Sequence, residues 1–464
     1  MMNNPITYIS TRGKSKELKF KDVVFEGLAT DGGLYIPKIW PKLTDSKIES
    51  FKKKSYQEIA FDVISVYVDE TLNDSDLRSI ISDSYSVFEN DEITPLKKID
   101  NHHYLLELYH GPTYAFKDVA MQFISRLMDF YLQKSGSKIN ILGATSGDTG
   151  AAAIEGFKNI PSVKTFILHP HEKISEVQRK FMTTVNSENV FNIAIKGSFD
   201  DCQNIIKKIF TDKEYKKHNS LTAINSINWS RIMCQMVYYF YASSRISDNN
   251  NTMFSVPTGN FGDILAGYIA KKMGLNISML NIATNENDIL TRTLSTGTHS
   301  LKKVKETTSP SIDIQISSNF ERLLYDLSGD SSYVDNLMNN LIKTGSYQLS
   351  ESLLKEINSH FVSYSVSEAE VDNTIKEIYN KYQLVIDPHT AVGLASALKS
   401  SLEYKNTITL ATAHPAKFKD TVSNIIKNDD FVTDKIKAIM ELTENMVILE
   451  NDDNIVKKYI TDNI

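Results

Sequence analysis

Residues 138–153, with the sequence KINILGATSGDTGAAA, decide the fold class of this chain. Their apolar beginning predicts a buried strand, a glycine-containing turn follows, and the small apolar residues after it predict a helix. Residues 256–267, with the sequence VPTGNFGDILAG, have the same order of strand, turn and helix. Such turns expose backbone N–H groups at a helix N-terminus, where an anion can bind. Ordinary strand-to-helix turns have the same composition, so both interpretations remain open here.

The rest of the chain continues this alternation of short β-branched runs and longer amphipathic ones. It predicts an α/β fold with an open, mostly parallel sheet that helices cover on both faces. Strands are predicted at 138–143, 163–168, 190–195, 252–256, 277–283 and 407–412. Helices are predicted at 175–185, 199–210, 230–244 and 263–273. The stretch from 300 to 380 indicates helices without clear strands.

The composition restricts the class of protein. The chain has 464 residues, of which 41% are hydrophobic and 23% charged, which is typical of a globular protein and excludes a disordered scaffold. The formal net charge of -6 provides no basic field for nucleic acid or an anionic membrane. Its two cysteines, Cys202 and Cys234, are far apart, which excludes a disulfide framework and a zinc finger. Without a secretory signal or a membrane-length apolar run, we expect a cytoplasmic protein.

Sequence motifs for nucleotide and metal sites are absent. The chain contains no Walker loop, no G-x-G-x-x-G in either glycine turn and no H-E-x-x-H. Ser146 stands in G-x-x-S-G rather than in the G-x-S-x-G of a nucleophile elbow. The two turns are therefore predicted to be phosphate-sized sites without a nucleotide signature.

A lysine at the start of an apolar helix is the strongest catalytic candidate. Lys117 ends the segment HGPTYAFK, and apolar residues at three- and four-residue intervals after it predict an amphipathic helix. Because apolar residues also precede Lys117, we expect it to be partly buried. Burial lowers the pKa of a lysine, and the neutral amine is the form that Schiff-base chemistry requires.

Four segments in this order resemble the pyridoxal-phosphate (PLP) enzymes of fold type II: HGPTYAFKD, TSGDTGAAA, PTGNFGDILAG and ATAHPAKF. Over nearly its whole length the chain resembles the threonine synthase family, in the longer form of the yeast and enterobacterial branch. The resemblance implies a PLP-dependent lyase that converts O-phospho-L-homoserine and water into L-threonine and phosphate, the last step of threonine biosynthesis. It also implies two open, mostly parallel sheets flanked by helices.

The resemblance assigns one group of residues to the cofactor, pyridoxal 5′-phosphate. Lys117 is implied to form the internal aldimine and then to move protons between carbon atoms of the substrate. Thr412 is implied to face the pyridine nitrogen. The implied ligands of the cofactor phosphate are Gly259, Asn260, Phe261, Gly262 and Asp263.

A second group is implied to bind the substrate. The residues matched to the substrate carboxylate are Thr145, Ser146, Asp148 and Thr149, and those matched to its phosphate are Asn225, Ser226 and Arg231. Asp148 stands where many relatives have asparagine, and an ionised carboxylate cannot donate a hydrogen bond to the cofactor. Places in the pocket or at the domain interface are implied, without a defined role, for Arg12, Ser317, Asn319, Arg322 and His389.

The family architecture implies three regions. These are an N-terminal segment at 1–90, a small mobile domain at 91–220, and a large domain at 221–464 with a helix-rich insertion at about 300–380. The expected partner is a small-molecule substrate, with no nucleic acid, membrane or metal, and the expected assembly is a monomer or weak homodimer.

Two other interpretations of the sequence remain open. One is another fold type II lyase, such as a threonine dehydratase or a phospho-lyase that lacks the water-addition step. The other is a non-catalytic α/β protein that binds an anion or a nucleotide with its two glycine turns.

Overall fold

The computed structural model describes residues 6–223 and 226–464. The strands in these ranges are β1 (Tyr8–Ser10), β2 (Tyr35–Pro37), β3 (Leu96–Lys98), β4 (His103–Glu107), β5 (Ile139–Ala144), β6 (Val163–Pro170), β7 (Val190–Ile195), β8 (Leu221–Ala223), β9 (Thr252–Pro257), β10 (Met279–Thr284), β11 (Thr298–Ser300), β12 (Ser346–Gln348), β13 (Phe361–Ser365), β14 (Asn406–Ala411) and β15 (Val447–Leu449).

The α-helices of the same ranges are α1 (Phe20–Phe25), α2 (Asp45–Ser50), α3 (Tyr56–Ile64), α4 (Asp74–Tyr85), α5 (Lys117–Ser135), α6 (Asp148–Phe157), α7 (Glu176–Thr183), α8 (Phe199–Thr211), α9 (Lys213–His218), α10 (Trp229–Ser244), α11 (Gly262–Lys272), α12 (Ile289–Thr296), α13 (Phe320–Ser328), α14 (Ser331–Thr344), α15 (Glu351–His360), α16 (Glu368–Tyr382), α17 (Pro388–Leu398), α18 (Lys419–Ile426), α19 (Asp434–Glu441) and α20 (Asp453–Asp462). Short 3-10 helices lie at Phe51–Lys53, Pro310–Ile312 and Pro415–Phe418.

The larger sheet has six strands in the order β13-β10-β9-β14-β4-β3. All neighbouring pairs are parallel except the edge pair of β3 and β4. The central strands β9 and β14 are buried along almost their whole length. Helices cover both faces of such a sheet, so its central strands need the apolar and β-branched residues found in TMFSVP and NTITLA.

The smaller sheet has five strands in the order β15-β7-β6-β5-β8, and every neighbouring pair is parallel. The prediction of an α/β fold with two open, mostly parallel sheets flanked by helices is therefore confirmed. The strand predicted at 190–195 has the observed bounds, and the other predicted strands end within two residues of the observed ones.

Sheet membership does not follow the order of the strands along the chain. Strand β4, from the range 91–220, lies in the larger sheet, whereas β15, from the range 221–464, forms an edge of the smaller sheet. The domain boundaries themselves stay predictions. The stretch 300–380 is rich in helices, but the expectation of no strands there is wrong for β12 and β13. Strand β13 is short and mostly half-buried, and its partner β10 is distant along the chain, so no local pattern marks it.

Helix α10 lies in the middle of the core, and every residue from Trp229 to Ser243 is buried. The Trp229 ring packs against the rings of Tyr8, Trp40 and Tyr67, with centroid distances of 6.0, 5.9 and 5.7 Å. Because a helix buried on all faces needs apolar cover on all faces, the N-terminal segment completes the core around α10. Within the described ranges, no helix is both long and apolar enough to cross a membrane.

Candidate active site

The predicted site residues follow the carboxyl ends of five strands, three in the larger sheet and two in the smaller sheet. In the larger sheet, β9, β14 and β4 are parallel neighbours, so the loops after them leave the sheet at one edge. In the smaller sheet, β5 and β8 are also parallel neighbours. Ligands of open α/β sheets bind at the carboxyl ends of the strands. The topology therefore collects residues that are far apart in the sequence.

Lys117 is the first residue of α5, and its side chain is buried. Its Nζ lies 3.3 Å from Oδ2 of Asp148, the first residue of α6. Burial lowers the pKa of Lys117, and the Asp148 carboxylate opposes this effect without cancelling it. The backbone before Lys117 is held by the Phe116 N–H, which donates to the Thr412 carbonyl at 2.9 Å. Thr412 is buried and directly follows β14, whereas the sequence predicts it inside that strand.

Asp148 is bonded by three side chains. Its Oδ1 accepts from Lys417 Nζ at 2.6 Å and from Gln178 Nε2 at 3.2 Å, while Oδ2 faces Lys117. Burial by itself raises the pKa of a carboxyl, but the cations of Lys417 and Lys117 outweigh burial and hold the pKa of Asp148 well below its usual range. Asp148 is therefore ionised, and it only accepts hydrogen bonds.

The turn between β5 and α6 is closed by its own residues. The Thr145 hydroxyl accepts from the N–H groups of Gly147 and Gly150 at 3.0 and 2.9 Å. Gly147 has a φ of +141°, and a Cβ there would lie 2.9 Å from the Gln178 side chain, so the turn requires glycine. Half-buried positions on the same turn are Ser146 and Thr149. The turn is thus ordered by internal hydrogen bonds.

The turn between β9 and α11 leaves its helix N-terminus open. A Cβ at Gly259 would lie 2.4 Å from the Ser311 carbonyl oxygen, so only glycine fits. Phe261 has a φ of +62° at the N-cap of α11, and its side chain is buried. The first N–H groups of a helix have no partner within the helix, and together with the helix dipole they provide a site for an anion. The predicted phosphate ligands on this turn are Gly259, Asn260, Phe261, Gly262 and Asp263.

Asp263 lies in the first turn of α11 and faces α10. Its Oδ1 accepts from the hydroxyls of Tyr238 and Tyr239, the latter at 3.0 Å, while Oδ2 has no hydrogen-bond partner among the described residues. Burial raises the pKa of Asp263 to about 6, although the two tyrosine hydroxyls and Lys117 act in the opposite direction. A proton on this carboxyl is therefore much easier to add than on Asp148.

Arg231 lies in the first turn of α10 and is 4% exposed. Its Nη1 is enclosed and has no hydrogen-bond partner among the described residues. Burial lowers the pKa of Arg231 to about 10, so the guanidinium remains charged at neutral pH. An enclosed, charged donor without a partner indicates a place for an anionic ligand. Of the two residues predicted to share the substrate phosphate with it, Ser226 lies just before α10 and Asn225 lies outside the described residues.

Asn319 joins the two predicted phosphate sites. Its Nδ2 donates to the carbonyl groups of Ser226 at 3.1 Å and of Asn260 at 3.0 Å. The Ser317 hydroxyl donates to the Gly259 carbonyl at 2.6 Å. Asn319 therefore holds the turn after β8 and the turn after β9 together, and Ser317 adds a second contact to the turn after β9.

Three family models match consecutive parts of the chain. Residues 7–85 match the threonine synthase N terminus, 88–336 the pyridoxal-phosphate dependent enzyme family, and 390–460 the threonine synthase C-terminal family. The threonine synthase of Pseudomonas aeruginosa is 44% identical in an alignment of 450 residues that covers 96% of this chain and 96% of its own. That of Saccharomyces cerevisiae is 42% identical and covers 100% of this chain and 99% of its own.

Solved structures agree with these relatives. The PLP-bound threonine synthase of Brucella melitensis has a TM-score of 0.95 at 43% identity and covers 99% of both chains. The chain belongs to the threonine synthase family. Membership makes it a PLP-dependent lyase, as the sequence predicts.

The residues present fit PLP, the cofactor of the threonine synthase family. Lys117 supplies a buried amine whose pKa is lowered by burial. The open start of α11 supplies unpaired N–H groups for a phosphate, next to a glycine that admits close approach. In the described ranges, no group of three or more His, Cys, Asp or Glu side chains is placed to hold a metal ion. The amine and the anion site are the two attachment points that PLP needs.

Two arginines that the threonine synthase resemblance leaves without a role belong to the framework of the site. Arg322 donates to the carbonyl groups of Tyr35 and Ile227 at 2.9 and 2.7 Å. Arg12 pairs with Glu321 through Nε and Nη2, each at 3.0 Å. Together the two residues therefore hold the N-terminal segment and the start of α10 against α13.

His389 supports the turn after β9 through Ser311. Its Nδ1 lies 2.7 Å from Oδ2 of Asp387, and its Nε2 accepts from the Ser311 N–H at 3.2 Å. This arrangement places the ring proton on Nδ1. Since the Ser311 carbonyl packs against Gly259, the His389 ring holds the segment on which the turn after β9 rests.

Sequence reasoning missed two residues that contact Asp148, namely Lys417 and Gln178. Lys417 lies in ATAHPAKF, a segment that carries the family resemblance, but lysines are rarely buried and nothing local reveals its partner. The apolar neighbours Ala416 and Phe418 are a weak signal of its burial. Gln178 on α7 has no signal in the sequence, because only the packing of α7 on α6 brings it to Asp148.

Proposed function

We propose that the chain converts O-phospho-L-homoserine and water into L-threonine and phosphate, the last step of threonine biosynthesis. Its place in the threonine synthase family supports this reaction. The observation that carries the proposal is the buried guanidinium of Arg231, whose Nη1 has no hydrogen-bond partner among the described residues. Its charge also lowers the pKa of Lys117, so it acts on the predicted reacting amine. A phosphorylated amino-acid substrate requires such a cation near the reacting amine.

Lys117 is proposed to hold the cofactor and to carry protons to and from the substrate carbons. Bound PLP supplies the electron sink that makes carbon-bound protons acidic. The lowered pKa of Lys117 favours the neutral amine, which is the form that accepts a proton. The backbone of Gly259, Asn260, Phe261, Gly262 and Asp263 is proposed to bind the cofactor phosphate at the start of α11. Thr412 offers a neutral hydroxyl for the pyridine nitrogen.

The substrate is proposed to be held at both ends. Its phosphate would lie against Arg231 and Ser226, with Asn225 as the third predicted ligand, because charge-assisted hydrogen bonds suit a dianion. Its carboxylate would lie at the turn after β5, which carries Thr145, Ser146 and Thr149. We assign Asp148 to the two lysines instead, because its ionised carboxylate already contacts both of them and has no hydrogen to donate to a second carboxylate.

Two expectations from the sequence remain part of the proposal. One is a location in the cytoplasm, with which the free, buried thiols of Cys202 and Cys234 are compatible. The other is a monomeric or weakly dimeric state. Sedimentation of the purified protein over a range of concentrations tests the second, since a weak dimer dissociates on dilution.

Product analysis tests the proposed reaction. PLP-loaded protein is incubated with O-phosphohomoserine, and threonine, phosphate and 2-oxobutyrate are measured. We expect threonine and phosphate in equal amounts, and no reaction with L-serine or L-threonine in place of the substrate. Phosphate with 2-oxobutyrate would indicate a lyase without water addition. Deamination of serine would indicate a dehydratase, which has no use for a phosphate-binding arginine.

A further inference from the structure

Lys417 has no part in the proposed function, yet its ammonium group is buried within the site. The residue lies in the 3-10 helix Pro415–Phe418 that follows β14, and its side chain is fully enclosed. Its Nζ lies 2.6 Å from Oδ1 of Asp148 and donates to the Thr113 carbonyl at 2.8 Å. A buried ion pair seldom stabilises a fold better than apolar residues do, so a pair like this one calls for another explanation.

The two oxygens of Asp148 have different partners. Oδ1 has the short contact with Lys417 and a hydrogen bond from Gln178, whereas Oδ2 has only the longer contact with Lys117, at 3.3 Å, among the described hydrogen bonds. Lys117 has to change its protonation and its covalent state during the proposed reaction. Asp148 therefore needs a partner that does neither, and Lys417 is in the position to be that partner.

Lys417 also joins the starts of two helices. The Thr113 carbonyl that it contacts belongs to the turn before α5, and this turn is fixed by the Thr113 N–H and hydroxyl, which each donate to the Asp118 carboxylate at 2.8 Å. Asp148 is the first residue of α6. One ammonium group thus links the turn that carries Lys117 to the carboxylate that faces Lys117.

We propose that Lys417 is a positioning residue: its short ion pair holds Asp148 as a fixed anion, so that Lys117 is free to act as an amine. This inference rests on the proposed function, in which Lys117 is the reacting lysine. Without Lys417, the Asp148 carboxylate would have one cationic contact left, Lys117, and would hold it as an ammonium.

Other charged groups around Lys117 come from every helix packed there. Asp148 on α6 favours the ammonium form of Lys117. Lys417, in the 3-10 helix after β14, and Arg231, on α10, disfavour it. Asp263 on α11 interacts with Lys117, and His389 on α17 interacts with Asp148. Apart from Asp148 itself, Lys417 has the largest charge effect on Lys117, and it also contacts Asp148 at 2.6 Å.

The test measures how fast PLP attaches to Lys117 in the cofactor-free chain as a function of pH. Borohydride traps the attached cofactor, and the mass of the peptide that contains residue 117 gives the amount. The variants are Lys417→Met, which keeps the length without the charge, Asp148→Asn, and the two combined. Lys419→Met is the matched control, because Lys419 is two residues further along, its side chain is 41% exposed, and its Nζ lies 3.6 Å from Oδ2 of Asp429.

We expect Lys417→Met to move the profile to alkaline pH by at least about one unit, so that attachment at a fixed pH on the acid side is roughly tenfold slower. Asp148→Asn should move the profile to acid pH, because Lys117 then faces Lys417 without an anion. The combined variant should return towards the wild-type profile. The control variant Lys419→Met should have the same profile as the wild type.

Two results would overturn the proposal. One is an unchanged pH profile in Lys417→Met. The other is a combined variant whose profile equals that of either single variant. In both cases Lys417 would act by packing alone. If Lys417→Met does not fold, the comparison of Asp148→Asn with the combined variant still decides the question. The readout is attachment, so a chain that attaches PLP as expected but forms no threonine would contradict the proposed function and leave this inference standing.

Discussion

The turn after β5 and the turn after β9 both place a Gly-Asp pair at the start of a helix, yet the two carboxylates have opposite surroundings. Asp148 contacts Lys417 and Lys117, and these cations hold its pKa below the usual range against the effect of burial. Asp263 contacts two tyrosine hydroxyls, and burial raises its pKa to about 6. The helix dipole favours an anion at both positions. The difference shows that a buried cation beside the carboxyl group, rather than its position at a helix start, decides whether that group is ionised.

The two turns also differ in how their backbone N–H groups are used. The Thr145 hydroxyl accepts from two N–H groups of the first turn. The second turn has no such side-chain cap on α11, and Phe261 occupies the N-cap position with a positive φ. The first turn therefore uses two of its N–H groups internally, whereas the start of α11 has no side-chain cap in the described part of the chain.

The largest expected effect comes from removing the Lys117 side chain, which contacts Asp148 at the turn after β5. Lys117→Ala should lower threonine formation by roughly 10²–10⁴-fold through loss of proton transfer alone, and further through loss of cofactor attachment. Steady-state threonine production measures the change, with Lys419→Ala as the control. Near-normal turnover in Lys117→Ala would show that another group carries the chemistry.

Asp148→Asn should be the most destabilising change in either Gly-Asp pair. It leaves the buried Lys417 ammonium without its anion, which we expect to cost about 3 kcal/mol of unfolding free energy at neutral pH. Because the pKa of Asp148 is lowered in the fold, its contribution is present above the ordinary carboxyl pKa of 3.8 and is lost as the pH falls below it. The difference from the wild type should therefore shrink in acid.

Urea unfolding of the cofactor-free protein at several pH values measures this difference. Asp434→Asn is the matched control, because Asp434 is also the first residue of a helix but its side chain is 99% exposed. Equal losses in the two variants would mean that the helix position matters and that the lysines do not.

Arg231→Ala should sharpen the distinction between the substrate anion and the cofactor anion. Loss of one charge-assisted contact should cost about 1.5–3 kcal/mol, a loss of roughly 10- to 150-fold in kcat/KM for O-phosphohomoserine. Inhibition by inorganic phosphate should weaken in parallel. The PLP affinity serves as the internal control and should stay unchanged; loss of PLP instead would assign Arg231 to the cofactor or to the fold.

The smallest expected effect concerns Asp263 and has the opposite pH dependence to Asp148. Since burial raises the pKa of Asp263 from 3.8 to about 6, its contribution to stability is present below the unfolded pKa and is lost as the pH rises through about 6. Asp263→Asn removes this loss. Relative to the wild type, the variant should gain about 2 kcal/mol of unfolding free energy between about pH 4 and about pH 7.

The same urea titrations serve for this measurement, and they need no separate control because Asp148→Asn provides the reverse trend. A wild-type stability that does not fall relative to Asp263→Asn between about pH 4 and about pH 7 would show that the Asp263 carboxyl keeps a normal pKa in the fold.

Much of this molecule is determined locally by its sequence. The strand after Lys138 and the strand that ends at Pro257 each precede a glycine turn and a helix, because periodicity and turn chemistry depend on neighbouring residues. The resemblance of four short segments indicates the threonine synthase family, which the comparisons confirm. The flanks of Lys117 predict its burial, which the structure confirms, whereas its role as the reacting lysine comes from the resemblance and stays a prediction.

The tertiary structure alone decided the charges of the site and the membership of the sheets. Strand β15 joins the smaller sheet, and β13 the larger, through partners that are distant in the chain. Asp148 and Asp263 follow the same residue, glycine, and differ because lysines pack beside one and tyrosine hydroxyls beside the other. A pKa depends on every charge and dipole within a few ångströms, and folding rather than sequence order brings those groups together.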